Sequence, residues 1–213
     1  MVPLLVVAKE QLDGRGRFLR RWVSPPTGNL YFSYGFQVDC DIQYYPLHTF
    51  IMAWSIVEVL KQWNLDARIK WPNDVRIHTK KIAGILAERH YSSLIIGVGF
   101  NYNMTAEQIG TIGKPAVALN QCLSALPDST SLRHQIINKF DGLRAHLQTE
   151  GSAMVVSAFQ QYGEMVGEEV IFNAGDKRYP IRVEGITSYG QLTGRLDNGD
   201  RIEFSAGEIV ENG

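Results

Sequence analysis

The sequence predicts an α+β fold, with a mixed, largely antiparallel sheet and helices followed by a small β-barrel. Three observations predict it. Apolar runs at residues 82–87 and 94–100 are separated only by the polar residues 88–93, the pattern of adjacent antiparallel strands. Two segments repeat apolar residues at three- and four-residue steps, as amphipathic helices do. After Gly163 the composition changes to short strand-like runs alternating with turn signals.

In chain order, residues 3–8 and 30–36 are apolar and aromatic runs that read as strands. Leu47, Phe50, Ile51, Trp54, Val57 and Leu60 form the stripe of a first helix. The strands at 82–87 and 94–100 follow. Leu132, Ile136, Phe140, Leu143 and Leu147 form a second helical stripe behind the cap-like cluster Asp128-Ser129-Thr130-Ser131. Residues 152–162 complete the helices. Strands are expected at 169–172, 179–183, 191–196 and 201–204, with Asp197-Asn198-Gly199-Asp200 as the clearest turn. The expected division is 1–163 and 164–213.

The chain of 213 residues is 45% hydrophobic and 20% charged, enough to bury one substantial core and a small satellite domain. No apolar run approaches eighteen residues, and the start has neither the basic flank nor the cleavage site of a secretory signal, so an intracellular, cytoplasmic protein without membrane association is expected. Cys40 and Cys122 lack CxxC spacing, which argues against a disulfide framework or a zinc site. The five histidines show no metal-ligand spacing, and no G-x-S-x-G elbow is present. A net charge of −1 provides no global field for nucleic acid. Any anion must be met locally.

Gly14-Arg15-Gly16-Arg17-Phe18-Leu19-Arg20-Arg21-Trp22 concentrates arginines between glycines that let the backbone turn, a composition suited to phosphate or carboxylate. A solvated loop is the plainer alternative. Lys70-Trp71-Pro72-Asn73-Asp74 places a lysine, an amide and a carboxylate around a proline. Pro-Asn-Asp is ordinary turn chemistry, but Lys70 is not explained that way. Lys80 and Lys81 precede a strand containing Gly84, where a strand glycine marks close approach of a ligand or of another backbone. Gly97-Val98-Gly99-Phe100-Asn101 ends its strand with glycines on one face; it is not a dinucleotide fingerprint, and no P-loop spacing occurs.

In order and spacing these segments resemble the catalytic core of biotin protein ligases. Gln11, Gly14-Arg15-Gly16-Arg17 and Trp22, then Ser24-Pro25-Pro26-Thr27-Gly28-Asn29-Leu30, are similar to the family's ligand-binding loop and following strand. Lys70-Trp71-Pro72-Asn73-Asp74 with Lys81-Ile82-Ala83-Gly84-Ile85-Leu86 is the most specific part. Residues 190–208, closing on Gly207-Glu208, resemble the family's C-terminal barrel. The resemblance implies a class II synthetase-like catalytic domain, a small SH3-like β-barrel, and an ATP-dependent ligase. Biotin and MgATP would give biotinyl-5′-AMP, and a lysine of a carboxylase's biotin carboxyl carrier domain would then take the biotin. It implies Lys70, Arg15 and Arg17 as catalytic residues, and Gln11, Gly14, Arg15, Lys70, Gly84 and Gly97 around biotin. Arg17, Trp22, Asn73, Asn101 and Lys81 fall on the nucleotide side, with Asp74 orienting the lysine or contacting Mg2+. A homodimer is common in the family.

Two departures stand out. Family members usually carry a further strand, a Ser-Thr-Asn segment and a helix before the strand equivalent to residues 4–8, and the loop here has Phe18-Leu19 in place of a basic residue and glycine. The alternatives are therefore a catalytically weak binding module and a lipoate or octanoate ligase or transferase, whose members generally lack the paired motifs. A biotin-responsive repressor would need a helix-turn-helix before residue 1, and none is expected.

Overall fold

The computed structural model describes residues 2–25 and 28–210. Two antiparallel sheets organise the chain. The first has six strands in the order β1-β2-β6-β5-β4-β3: β1 Leu4–Ala8, β2 Leu30–Gln37, β3 Ala67–Lys70, β4 Asp74–Ile77, β5 Lys80–His90 and β6 Ser93–Phe100. The second has five, in the order β10-β9-β8-β7-β11: β7 Glu169–Ala174, β8 Lys177–Ile186, β9 Leu192–Arg195, β10 Arg201–Phe204 and β11 Glu208–Val210. The α+β reading is borne out, and the second sheet is consistent with the expected C-terminal β domain.

One face of the first sheet carries the core. Phe32, Tyr34 and Phe36 of β2 and Leu94, Ile96, Val98 and Phe100 of β6 alternate toward α1 (Tyr45–Leu60), behind which lie α3 (Ser129–Glu150) and α4 (Ala153–Tyr162). Helix α1 is buried on nearly every side rather than along the expected stripe, because sheet, α3 and α4 pack around it. Asp128 caps α3 through a 2.8 Å bond from the Ser131 amide, the role its position in the sequence suggested.

Four elements were not foreseen. β3 and β4, Ala67–Lys70 and Asp74–Ile77, mix charged residues with their apolar ones around a segment that reads as a turn, and residues 71–73 between them form that hairpin turn. The short α2 (Ala106–Gly110) starts on a capping box between Thr105 and Gln108. Strand β11 pairs with β7 from the far end of the second sheet. Cys40 and Cys122 are both free, and no described helix is long and apolar enough to cross a membrane.

The second sheet is bound to the first through Trp71. Its ring packs on Phe172 at 5.7 Å between centroids, and its Nε1 donates to the Gly190 carbonyl at 3.1 Å. A second tie is buried: Arg76 of β4 reaches Glu164 at 3.1 Å, where both side chains are largely withdrawn from water.

Candidate functional site

The other face of the first sheet is left nearly bare by its sequence. Because Ile85, Val98 and Phe32 point to the helices, Gly84, Gly97, Gly99 and Ser33 point away from them, and Gly84 pairs directly with Gly99. The result is a floor of backbone on which another group can lie flat. That floor belongs to a cavity of about 870 Å³, edged by the apolar Val6, Leu86 and Ile95 and by the cations Arg15, Arg17, Lys70, Lys81 and Lys114.

The arginine segment is a hairpin over this cavity. Arg15 and Arg21 form an antiparallel bridge, the Trp22 amide donates to Gly14 O at 2.8 Å and the Gly16 amide to Arg20 O at 2.7 Å. Its tip is one 3-10 turn, Arg17–Leu19, in which Phe18 and Leu19 take φ of 55° and 59°. This left-handed backbone costs residues with a Cβ about 1–2 kcal/mol each. The substitution noted at Phe18-Leu19 therefore falls at the two positions where the turn most favours glycine, and Leu19 is 94% exposed.

Trp22 folds back from the hairpin onto the floor. A Cβ on Gly84 would lie 2.6 Å from its indole and one on Gly99 2.5 Å, so the ring occupies the space that any side chain at either position would need. The Lys81 ammonium sits 4.8 Å from the centroid of that ring and 2.7 Å from Asp74 Oδ1. Burial lowers the pKa of Arg17, against the opposing influence of the Glu208 and Asp74 carboxylates, and its guanidinium lies 5.9 Å from the Trp71 ring centroid.

Backbone clips set these side chains in place. Lys70 and Asp74 face each other across the β3–β4 turn, and Asp74 is in register with Gly84 of β5. Asn73 fastens the turn to β5: its Nδ2 donates to Ile85 O at 2.7 Å while its carbonyl accepts from Ile85 N at 2.9 Å. Asn101, 2% exposed, donates to the carbonyls of Lys81 at 3.1 Å and Val117 at 3.3 Å. Residues 115–117 run beside Lys81 and exchange backbone bonds of 3.0 Å with it.

Of the residues singled out from the sequence, Gln11, Arg15, Arg17, Trp22, Lys70, Asn73, Asp74, Lys81, Gly84, Gly97 and Asn101 all line this cavity. Gly14 does not. It closes the base of the hairpin, where a Cβ would meet the Trp22 carbonyl at 2.7 Å. Asn101 spends both amide protons on backbone carbonyls and supports the site from behind, whereas Asn73 commits one of its two to Ile85 O. Asp74 engages Lys81, because antiparallel pairing brings β5 alongside β4, and it stands opposite Lys70 in the β3–β4 register. No group of three or more His, Cys, Asp or Glu side chains that could hold a metal occurs among the described residues. Gln11 donates to Ser24 Oγ at 3.1 Å; of the expected segment after Ser24, Pro26 and Thr27 lie outside the described residues. Arg20, Arg76, Lys114 and Glu208 also line the cavity without having been singled out as site residues. Arg20 carried a signal in its place in the arginine run, and Glu208 in its place at the close of the barrel-like segment.

Residues 2–101, which carry the hairpin, the glycine floor and both lysines, match the biotin/lipoate A/B protein ligase family. The bifunctional ligase/repressor BirA of Bacillus subtilis is 27% identical over 95% of this chain, and the chain spans 64% of its length. The chloroplastic biotin–protein ligase 1 of Arabidopsis thaliana is 31% identical over 95% of the chain, which spans 58% of it. The biotin–[acetyl-CoA-carboxylase] ligase of Mycobacterium tuberculosis is 25% identical over 97% of the chain, which spans 78% of it. The chain thus spans about three-fifths of the length of the first curated relatives it matches. The biotin protein ligase of Aquifex aeolicus, solved in complex with biotin and ATP, shares the fold with a TM-score of 0.81 at 24% identity, over 97% of this chain and 87% of that one. The matched segment, the alignments along nearly the whole chain and the shared architecture agree: residues 2–101 match the biotin/lipoate A/B protein ligase family, and the chain is similar to biotin protein ligases along nearly all of its length.

Proposed function

We propose that the chain is a biotin protein ligase, with residues 1–163 as its catalytic unit and 164–213 as an appended β-barrel. The observation that carries this reading is the meeting of Arg17, Lys70 and Lys81 around a cavity floored by Gly84, Gly97 and Gly99. The part of this floor that Trp22 leaves open, beside Gly97 and the apolar Val6, Leu86 and Ile95, suits a largely apolar acid, and the cations suit its carboxylate and a nucleotide phosphate. The relatives named as biotin ligases, and the solved relative carrying biotin and ATP, support the same substrates.

In the first step a carboxylate oxygen of biotin attacks the α-phosphorus of ATP, the bond to the bridging oxygen breaks, and pyrophosphate leaves with the electron pair. Negative charge gathers where Lys81 and Lys70 can meet it. One charge pair at this range contributes roughly 4 kcal/mol at near-surface dielectric before desolvation is subtracted. Asp74 holds the Lys81 ammonium in place. Arg15 and Arg17 bind phosphate, each charge-assisted bond contributing about 1.5–3 kcal/mol. Trp22 covers the floor and offers a stacking surface to the nucleotide, while Gln11, Gly84 and Gly97 border biotin. In the second step the amine of a carrier-domain lysine attacks the anhydride carbonyl, AMP departs, and the nitrogen loses a proton.

Magnesium has no protein cage here, since the Asp74 carboxylate is engaged by Lys81 and no acidic cluster accompanies it among the described residues. A magnesium ion would be held chiefly by the nucleotide's phosphates, with Asp74 as at most one carboxylate contact, and would neutralise phosphate charge. The test mixes protein, biotin, MgATP and a carboxylase carrier domain and scores carrier biotinylation, with Lys70→Ala and Lys81→Ala as controls. Labelling by the parent and loss in both variants is expected. No labelling of a competent carrier, or faster use of octanoate or lipoate than of biotin, overturns the reading.

A further inference from the structure

The arginine hairpin has a second attachment, at its tip, that none of the roles above uses. Arg20 directs both terminal nitrogens of its guanidinium to the carboxylate of Glu208, Nη2 to Oε2 at 2.8 Å and Nη1 to Oε1. The partners are 188 positions apart: Arg20 belongs to the hairpin between β1 and β2, and Glu208 opens β11 of the second sheet. A two-pronged pair of this kind fixes orientation as well as distance.

Glu208 is held firmly. Gly207 before it has φ of 139°, a conformation that residues with a Cβ rarely adopt, and a Cβ there would meet the Phe172 ring at 2.5 Å. Phe172 stacks on Phe204 at 4.0 Å and packs on Trp71, the neighbour of Lys70 in the catalytic turn. The carboxylate therefore rests on a platform built against the proposed catalytic face. The hydrogen bond from Arg20 keeps its carboxyl below the usual carboxylate range, and the charges of Lys114 and Arg17 add to that. A carboxylate repels nucleotide phosphate, so its place at the mouth of a cationic cavity calls for a partner already present in the protein.

We propose that Glu208 is a positioning residue: by holding Arg20 it keeps the arginine hairpin closed over the cavity before any ligand arrives, so the C-terminal sheet governs how well an activated intermediate is retained. The retention half rests on the ligase reading; the latch itself does not. Phe18 and Leu19 at the exposed tip provide a cleavage site for chymotrypsin that charge changes at Arg20 and Glu208 leave intact.

The experiment compares the parent, Glu208→Gln, Glu208→Arg, Arg20→Glu and the double exchange Arg20→Glu/Glu208→Arg. Chymotryptic cleavage at residues 18–19 is followed without ligand, and AMP released per carrier labelled is followed with biotin and MgATP. Each single variant is expected to be cleaved about two- to fivefold faster, the range for an exposed ion pair, and to release more AMP per labelled carrier. The double exchange restores both towards parental values, which a loss of general packing would not. Equal cleavage of parent and Glu208→Gln, or a double exchange no better than the singles, overturns the latch even if the parent is an active ligase. A parent that makes no adenylate yet shows the cleavage pattern overturns the ligase reading and the retention half, and leaves the latch standing.

Discussion

The indole of Trp22 lies where a side chain on Gly99 would be: a Cβ built on that glycine comes within 2.5 Å of the ring. The contact joins the hairpin to the floor beneath it. Gly99→Ala should therefore lift Trp22 from the sheet, at a cost of about 1–3 kcal/mol for the overpacking. Its indole emission should move to the red, and the hairpin should become more susceptible to proteolysis. An unchanged emission spectrum and unchanged cleavage would show that the ring does not rest there in solution.

Lys81 and Asp74 form the other central pair, at 2.7 Å. Under the proposed function, Lys81→Met should lower kcat for pyrophosphate release by on the order of 10²-fold or more, as expected when a preorganised cation at the developing charge is removed. Asp74→Asn keeps the lysine and loses its anchor, so its effect should be smaller and fall mainly on kcat. A parental rate in Lys81→Met rejects its assigned role.

His48 is buried in α1 against Phe36 and Tyr45, and burial lowers its pKa from 6.5 to about 4, with the Arg144 charge adding to the shift. Between pH 6.5 and 4 the unfolded chain binds the proton and the folded one does not. Stability is thus complete above pH 6.5 and falls as the pH drops towards 4, by about 3 kcal/mol in all from this group. Urea denaturation at pH 7 and pH 4.5 measures it. His48→Gln should flatten the pH dependence, and an equally steep dependence in that variant would assign the effect to other groups.

Trp71 ties the two sheets together through Gly190 and Phe172. Trp71→Phe removes the indole donor and part of the packing, for a loss of about 1–3 kcal/mol. A single, cooperative thermal transition shifted downwards is expected. A Tm equal to that of the parent would mean that the sheets are held together elsewhere.

Long, strongly patterned elements were legible in the sequence. β1, β2 and β5 to β10 follow from apolar runs between turn signals, α1 and α3 from apolar stripes repeating every three or four residues, and α4 was expected at 152–162. Strands β3 and β4 were not legible, since charged residues interrupt their apolar ones and the Pro72-Asn73-Asp74 turn chemistry between them dominates the local pattern. Composition marked the arginine segment and the Lys70 motif, and eleven of the twelve residues singled out line one cavity. Gly14 was the exception because the same residue type serves both close ligand approach and hairpin closure.

By itself, then, the sequence determined which residue types stand on the open sheet face, where the cations cluster along the chain, and which family motifs they compose. Tertiary structure alone decided the partners. Strand pairing brings Lys81 to Asp74, the folding of the hairpin brings Trp22 to Gly84 and Gly99, and docking of the second sheet carries Glu208 to Arg20 across 188 positions. Periodicity reports the face a residue occupies, a property of local backbone geometry. Contacts between distant segments depend on how whole elements pack, which no local pattern encodes.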